Sequence, residues 1–209
     1  MSMTRPRYRS LYLASQSPRR QELLRSWGVD FELLLANEDE DAESLEIEVP
    51  GEGAKTYVRR VTQLKLEAAI QRRQTRGLPD HPVLCADTTV ALDQEVLGKP
   101  RSKNHAAQLL TRLSGRTHDV YTAVAVAWGD ESAVLVCHSQ VTFASLSARQ
   151  ITQYVATGEP MGKAGAYGIQ GLASLWISRI KGSYSGIMGL PAYETATLLN
   201  RAGCRMALS

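Results

Sequence analysis

The chain has 209 residues, of which 44% are hydrophobic and 22% are charged, and both fractions are close to those of ordinary globular domains. At a prior of about 150 residues per domain, this length predicts a single domain over residues 1–209 with enough apolar material for its own core. The 24 Lys and Arg residues exceed the 21 Asp and Glu residues by only three. This balance argues against a chain-wide attraction for nucleic acid or a membrane surface.

Cysteine usage and hydropathy indicate the compartment. Cys85, Cys137 and Cys204 are far apart and show no CxxC spacing, which is typical of reduced thiols. The apolar stretch Leu11–Ala14 that follows the basic N-terminus is too short for a signal-peptide core, and no run of 18 apolar residues occurs. We therefore expect a cytoplasmic protein without a membrane segment.

The N-terminal part alternates between strand and helix. Ser17 followed by Pro18 predicts a capped helix start, and apolar residues recur at helical spacing in a later, longer segment. The predicted elements are a strand, a helix, a strand, an acidic loop and the long helix, at Ser10–Ser15, Pro18–Trp27, Phe31–Ala36, Asn37–Gly53 and Ala54–Gln74.

The remainder of the chain mixes hairpins with helical crossovers. Strands are predicted at Val83–Ala86, Thr89–Leu92, Val120–Trp128, Ala133–Phe143, Leu175–Ile180 and around Ile187. Helices are predicted at Lys103–Leu113, Ala148–Thr157 and Tyr193–Arg201, with a glycine-rich loop at Gly162–Gly171. A hairpin turn is expected at Gly129-Asp130. The pattern predicts an α/β fold with a mixed sheet.

The segment Ser15-Gln-Ser-Pro-Arg-Arg20 is suited to an anion. It places a hydroxyl group and two guanidinium groups where a strand ends and a helix begins. Unpaired N–H groups and the positive end of the helix dipole converge there, and Arg matches phosphate oxygens with its fork-shaped donors. An ordinary capped helix with two solvated arginines is the alternative.

Asp87 follows the short apolar strand Val83–Ala86, where open α/β sheets expose reactive groups. A carboxylate there can bind a divalent cation or accept a proton from water; a turn aspartate that bonds its own backbone is the alternative. Lys65 and Lys99 are candidate cations, although single lysines are usually solvated.

Other chemistries lack their motifs. Gly158-Glu-Pro-Met-Gly-Lys163 has three residues between its glycines, and Ala164 follows the lysine, so it is not a Walker loop. The sequence contains no HExxH or GxSxG motif, and its four histidines show no ligand spacing. These observations argue against zinc chemistry and against a serine hydrolase.

In combination and order, these motifs resemble the Maf family of nucleoside triphosphate pyrophosphatases. The match runs almost from end to end and leaves out only the acidic loop and the two ends. The matching segments are Ser15-Gln-Ser-Pro-Arg-Arg-Gln-Glu-Leu-Leu24, Asp39-Glu40, Tyr57-Val-Arg-Arg60, Lys65, Ala86-Asp-Thr88, Gly98-Lys-Pro100, Leu113-Ser-Gly115, Tyr154-Val-Ala-Thr-Gly-Glu-Pro160, Lys163-Ala-Gly-Ala-Tyr-Gly-Ile-Gln-Gly171 and Gly189-Leu-Pro191.

The resemblance implies a Maf/ITPase-like architecture, with an elongated, twisted sheet flanked by helices and two lobes around a cleft. It also implies hydrolysis of a nucleotide between its α and β phosphates. In this scheme Asp87 is the general base on the attacking water and, together with Glu40, a ligand for Mg²⁺ or Mn²⁺. The groups expected to bind the phosphates are Ser15, Arg19, Arg20, Lys65 and Lys99.

Three positions resemble the dTTP/UTP branch of the family: Arg19, Thr88 and Gln170. The branch that acts on 7-methyl-GTP resembles SPWR, SDQ and SEG at these places. Arg and Gln suit hydrogen bonds to the carbonyl groups of a pyrimidine, whereas Trp suits stacking on a methylated, positively charged purine. The pyrimidine branch is therefore favoured, with surplus or modified pyrimidine triphosphates as substrates. The resemblance also implies a homodimer.

Two features depart from the family pattern. Gly162 stands where this branch usually has Asp before Lys-Ala-Gly, and the acidic loop offers several carboxylates as metal ligands. These candidates are Glu38, Asp39, Glu40, Asp41 and Glu43, of which Glu40 is the best match in register and Glu38 the next. Two alternative functions stay open: a pyrophosphatase that acts on 7-methyl-GTP, and a regulator of septum formation that binds nucleotides without hydrolysing them.

Overall fold

The computed structural model describes residues 7–37, 40 and 44–207, and within these ranges a seven-stranded sheet is flanked by helices. The strands are β1 Ser10–Leu13, β2 Asp30–Leu33, β3 Val83–Leu92, β4 Glu95–Leu97, β5 Thr117–Trp128, β6 Glu131–Phe143 and β7 Ile177–Lys181. The helices are α1 Pro18–Ser26, α2 Ala54–Thr75, α3 Lys103–Leu113, α4 Ala148–Ala156, α5 Tyr184–Met188 and α6 Ala192–Ala202. Short 3₁₀ turns lie at Ser44–Glu46, Ala164–Ala166 and Leu172–Trp176.

The sheet confirms the predicted mixed α/β class. Its strand order is β2-β1-β3-β5-β6-β7, and β4 pairs with β3 outside this path. The β1 strand is parallel to β2 and β3, while the other pairs are antiparallel. The longest strands, β5 and β6, form the predicted hairpin, because Trp128 pairs with Glu131 across Gly129-Asp130. Gly129 has a φ of 54°, a value that tight two-residue hairpin loops favour.

The two largest hydrophobic cores of the described residues share the central strands. One core packs α3 and α4 against the sheet and includes Val90 and Val120. A second core packs α1 and α6 against the sheet and includes Leu84 and Val124. Because β3 and β5 run through both cores, the residues of β3 between Leu84 and Val90 lie between the two cores. Asp87 belongs to this stretch of β3.

Three sequence-based predictions differ from the structure. Asp87 does not follow the end of a strand, since β3 runs unbroken from Val83 to Leu92. The strand expected around Ile187 is instead α5, because the Ser183 hydroxyl accepts from the Gly186 N–H at 3.0 Å and caps a helical turn. The strand predicted to begin at Leu175 begins at Ile177, after a 3₁₀ turn.

Two further features of the described residues bear on the expectations from composition. The three cysteines are free and buried. In the ranges that the structure describes, no helix is both long enough and apolar enough to cross a bilayer.

His118 is a buried histidine on β5. Its side chain is 1% exposed, Nε2 lies 2.8 Å from the Tyr167 hydroxyl, and Nδ1 has no hydrogen-bond partner among the described residues. Because burial disfavours the charged imidazolium, the pKa of His118 is lowered to about 4 from an ordinary value of 6.5. At mildly acidic pH, His118 therefore stays neutral in the folded protein, whereas it is protonated in the unfolded chain.

We predict that His118 makes the protein less stable as the pH falls. Between pH 6.5 and pH 4 the unfolded chain binds a proton that the folded protein does not, so the free energy of unfolding decreases by about 2 kcal/mol from pH 7 to pH 5. Urea unfolding at the two pH values should show this loss in the wild type and a smaller loss in His118→Gln. Equal losses in both proteins would contradict the assignment.

Candidate active site

The cleft opens along one edge of β3. On this side, pairing with β1 ends at Leu84, and pairing with β4 begins only at Val90. The other edge of β3 remains paired with β5 throughout this stretch. Asp87 is therefore reachable because the neighbouring strands stop, which is the physical reason that a carboxylate in the middle of a strand can face a ligand.

The cleft has a volume of about 650 Å³, which is within the range of small-molecule sites. Its walls come from the end of β1, the start of α1, the middle of α2 and β3, and the loops after β4 and α4. Eight of the nine residues that sequence and resemblance singled out line it: Ser15, Arg19, Arg20, Lys65, Asp87, Thr88, Lys99 and Gln170. The predicted anion site and the predicted carboxylate thus share one cavity.

An alternating row of charges forms the centre of the cleft. Lys65 Nζ donates to Asp87 Oδ1 at 2.5 Å and to Glu46 Oε1 at 2.7 Å. Lys99 Nζ donates to the other Glu46 oxygen, Oε2, at 2.9 Å. Glu46 therefore occupies the space between the two lysines that were predicted to bind phosphate.

Local structure explains how Lys65 reaches Asp87. Val61 and Ala69, four residues to either side of Lys65 on α2, are fully buried, so Lys65 lies on the helix face that packs on the sheet. Cys85 belongs to the same small core as Ala69. Because side chains alternate along a strand, Asp87 projects from the same face of β3 as Cys85, toward α2.

Burial and charge act in opposite directions on this row. Burial raises the pKa of the Glu46 carboxyl group, because it favours the neutral form. The positive charges of Lys65 and Lys99 have the larger, opposite effect, so the pKa of Glu46 is lowered. At Lys65 burial is likewise outweighed, here by Asp87 and Glu46, and the pKa of the ammonium group is raised. Glu46 and Lys65 are consequently both charged at neutral pH.

Arg20 fixes a second cationic group in the cleft. Its Nε donates to the Gly189 carbonyl at 2.7 Å, and its Nη1 donates to Ser15 Oγ at 3.0 Å. Burial lowers the pKa of Arg20, an effect that Asp87 opposes, and an arginine remains charged in any case. Arg19 Nε donates to the Met188 carbonyl at 3.3 Å. Both guanidinium groups are held by backbone carbonyls at the C-terminal end of α5.

The start of α1 differs in detail from the predicted cap. Ser17 is at the N-cap position with Pro18 after it, but the Ser17 side chain makes no capping hydrogen bond. Instead, the Ser17 N–H donates to Ser15 Oγ at 3.3 Å. The hydroxyl of Ser17 therefore does not occupy the N–H groups of the first helical turn.

Thr88 faces the same side as Arg20. Thr122 Oγ1 donates to the Gly186 carbonyl at 2.7 Å and lies 3.0 Å from Thr88 Oγ1. The Thr88 hydroxyl thus acts as the donor to Thr122, since the Thr122 proton is already committed. This leaves the Thr88 oxygen with acceptor capacity toward the cleft.

Glu40 lies elsewhere. Its carboxylate accepts from Arg72 Nε at 2.9 Å and from the Asn37 N–H at 3.1 Å, and the Arg72 hydrogen bonds lower the pKa of Glu40 to about 2. Glu40 is not among the residues that line the cleft, although its partner Arg72 is, and a metal shared by Glu40 and Asp87 stays a prediction. The carboxylate brought beside Asp87 is Glu46. The other acidic-loop candidates, Glu38, Asp39, Asp41 and Glu43, lie outside the described residues.

Sequence reasoning missed three charged residues on the cleft wall: Glu46, Arg72 and Lys163. Glu46 belongs to a stretch with many carboxylates, and no spacing distinguishes it from the others. Lys163 is part of the family-like motif after Gly162, and that motif was the one available signal. Gly162 itself is exposed with a φ of 71°.

Comparison with known proteins identifies the relatives of this chain. A family model described as Maf-like protein matches residues 10–202. The chain belongs to the Maf family.

Curated relatives in the Maf family match over nearly their whole length. A protein of Albidiferax ferrireducens named dTTP/UTP pyrophosphatase is 55% identical over 196 residues, covering 94% of this chain and 98% of the relative. Proteins of the same name from Cupriavidus metallidurans and Burkholderia lata are each 58% identical over 195 residues, covering 92% of this chain and 96% and 93% of the relatives.

We predict that Glu46 competes with anions for Lys65 and Lys99 when no divalent cation is present. With EDTA added, Glu46→Gln should bind inorganic pyrophosphate up to about fivefold more tightly than the wild type, as expected for loss of a partly exposed ion pair. Isothermal titration calorimetry measures the difference. Glu95→Gln, which removes the exposed ion pair between Glu95 and Arg112, is the matched control. Unchanged or weaker binding by Glu46→Gln would refute the competition.

Proposed function

We propose that this chain is a nucleoside triphosphate pyrophosphatase that hydrolyses dTTP and UTP to the monophosphate and pyrophosphate, and so limits surplus or modified pyrimidine triphosphates. The observation that carries the proposal is the position of Asp87 in an open cleft among Lys65, Lys99 and Arg20. The names of the curated Maf relatives support the same reaction and the same substrates.

The charge of the substrate explains the cations. A triphosphate carries about four negative charges, and attack by water requires these to be neutralised by fixed donors. Arg20 is held by two hydrogen bonds within the fold and is thus oriented before the substrate arrives. Lys65 and Lys99 become available to phosphate oxygens once Glu46 leaves the space between them.

Asp87 is the proposed general base. A carboxylate that accepts a proton from the attacking water supplies roughly 10²- to 10⁴-fold in rate. The hydrogen bond from Lys65 fixes the orientation of Asp87, and it leaves the second carboxylate oxygen for the water. Binding and orientation of the phosphates by the cationic groups supply the rest of the acceleration.

Two carboxylates in the cleft suit a hard divalent cation. Glu46 and Asp87 both bind the same ammonium group, so their oxygens already converge on one positive charge. Mg²⁺ is typically held by one or two carboxylates with substrate phosphates and water completing its shell, and among the described residues no larger cluster of acidic, His or Cys ligands occurs. A divalent cation, Mg²⁺ or Mn²⁺, supplies Lewis-acid polarisation of phosphate oxygens when bound.

Base selection is assigned to Arg19, Thr88 and Gln170. Gln170 is exposed on the cleft wall, and its amide can both donate and accept, which matches the edge of a uracil or thymine. Thr88 keeps acceptor capacity toward the cleft, as described above. These roles rest on the resemblance to the dTTP/UTP branch together with the shared cavity.

Four further expectations remain proposals. One continuous sheet supports a single Maf-like domain over residues 1–209, and three free thiols support a reducing, cytoplasmic setting. The balanced net charge supports a function that does not involve nucleic acid. The homodimer rests on the resemblance alone, and sedimentation equilibrium measures it directly.

We predict that the purified protein with Mn²⁺ or Mg²⁺ releases pyrophosphate from dTTP and UTP, and that Asp87→Asn lowers kcat by roughly 10²- to 10⁴-fold, since the amide cannot take up the proton. A panel of nucleoside triphosphates is assayed, with products separated into monophosphate plus pyrophosphate or diphosphate plus orthophosphate.

Each contrary result of this panel has a definite meaning. Release of orthophosphate alone would contradict the assigned bond, and a preference for 7-methyl-GTP would place the chain in the purine branch. Full activity of Asp87→Asn would exclude this residue as the base. If the protein binds nucleotides but does not hydrolyse them, the result would favour the alternative function, a nucleotide-binding regulator of septum formation.

We predict that Glu46, rather than Glu40, contributes to cation binding. Glu46→Gln should weaken binding of Mn²⁺ to the nucleotide-free protein by about tenfold or more, the usual cost of losing a metal ligand or its support. Electron paramagnetic resonance of free Mn²⁺ measures the affinity independently of activity.

Glu40→Gln is the matched control for this measurement. It changes a carboxylate of the same loop region that is paired with Arg72, and we expect it to leave the affinity for Mn²⁺ unchanged. A loss confined to Glu40→Gln would restore the sequence-based assignment and remove Glu46 from the site.

A further inference from the structure

The segment Gly168–Leu172 contains a tight turn in the wall of the cleft. The Gly171 N–H donates to the Gly168 carbonyl at 3.1 Å, so Ile169 and Gln170 occupy the two central positions. Ile169 is 4% exposed and packs in the core formed with α3 and α4, whereas Gln170 is exposed to the cleft. The turn thus anchors one side chain in the core and presents the next one to a ligand.

The carboxylate of Glu159 connects the two ends of this turn. Its Oε2 accepts from the Leu172 N–H at 3.0 Å, and its Oε1 accepts from the Tyr154 hydroxyl at 2.9 Å. The Tyr154 oxygen in turn accepts from the Gly168 N–H at the longer distance of 3.4 Å. One carboxylate therefore ties down a peptide group on each side of Gln170, directly on one side and through a tyrosine on the other.

The contact between Glu159 and the turn is too close for any side chain to intervene. A Cβ added to Gly171 would lie 2.0 Å from Glu159 Oε1 and 2.5 Å from its carboxyl carbon. Non-bonded atoms do not approach this closely, so only glycine fits while the carboxylate remains in place. The carboxylate packs directly on the backbone that follows Gln170.

The backbone of Glu159 is held in place as well. Its N–H donates to Thr157 Oγ1 at 3.1 Å, and its carbonyl accepts from Lys163 Nζ. Because both peptide groups are bonded, the carboxylate extends from a fixed position. Glu159 does not line the cleft and is therefore outside direct contact with a nucleotide bound there.

We propose that Glu159 is a positioning residue for base selection, because its carboxylate holds the Gly168–Leu172 turn so that Gln170 meets the nucleobase in one orientation. The inference rests on the proposed function, since it takes Gln170 to be the residue that meets the base. Hydrogen bonds are sensitive to angle, so a loosened turn loses discrimination between bases. The phosphate-binding groups are on α1, on α2 and in the loops after β1 and β4, and we expect them to keep their positions.

The first test replaces the carboxylate by an amide. Glu159→Gln exchanges one acceptor oxygen for an NH₂ group that faces a donor, which breaks one of the two ties. We expect KM for dTTP and UTP to rise by about tenfold with kcat within about twofold of the wild type, the pattern of lost ground-state binding. The ratio of kcat/KM for dTTP to that for dCTP is expected to fall by a similar factor, because dCTP presents a different hydrogen-bonding edge.

A double-mutant cycle with Gln170→Ala distinguishes positioning from a general structural role. If Glu159 acts through Gln170, then Glu159→Gln adds no further loss of base discrimination in a Gln170→Ala background. Tyr154→Phe keeps the hydrogen bond between Glu159 and Leu172 and removes the link to Gly168 through the tyrosine hydroxyl. We therefore expect a smaller loss of base discrimination in this variant. If Glu159→Gln does not fold, Tyr154→Phe still tests the same hydrogen-bond network. Glu95→Gln, which removes an exposed carboxylate, is the control for the charge change.

The inference is overturned if Glu159→Gln lowers kcat equally for all nucleotides, leaves base discrimination unchanged, or has an effect that adds to that of Gln170→Ala. Its failure is distinct from failure of the proposed function. If only the inference about Glu159 fails, the wild type still releases pyrophosphate from dTTP and UTP. If the proposed function fails, the wild type releases none and both proposals are wrong.

Discussion

The ion pair between Lys65 and Asp87 is the contact on which the geometry of the cleft depends. It connects the long helix α2 to the central strand β3, with side chains only 21% and 15% exposed. Partly buried charges are tolerated only when they are paired and hydrogen-bonded, and loss of one partner leaves the other uncompensated. Glu46 and Lys99 extend the pair into a row that balances two positive and two negative groups. A site that must attract a polyanion is in this way kept stable before the ligand arrives.

The second constraint is the ending of strands. A carboxylate within a paired strand normally faces a neighbouring element, but β3 is left open between Leu84 and Val90 because β1 stops before this stretch and β4 begins after it. The pairing with β5 keeps the strand rigid on its other edge. Catalytic groups are most effective when supported by rigid elements, and here Asp87 combines the rigidity of a central strand with the accessibility of an edge.

The two ends of the proposed site differ in how they are supported. The phosphate end is built mainly from side chains on the helices α1 and α2, beside Asp87 on β3, whereas Gln170 belongs to a turn without regular secondary structure. Such a turn needs its own hydrogen bonds to hold one conformation, and Glu159 and Tyr154 provide them. Loops carry specificity in many folds because they can vary while the scaffold stays fixed. Division of the site into a rigid phosphate end and a separately supported turn fits that rule.

The sequence by itself determined the mixed α/β class, the bounds of the long helices to within a few residues, and the family, because hydrophobic periodicity and short motifs are local properties. It also singled out eight residues that share the cleft. The tertiary structure decided that Asp87 lies within a strand rather than after one, that Ile187 is helical, and that Glu46 shares the ammonium group of Lys65 with Asp87. Those outcomes depend on where neighbouring strands end and on which cation each carboxylate reaches. Both are set by contacts between residues far apart in the chain, and in a loop with many carboxylates no local pattern distinguishes one from another.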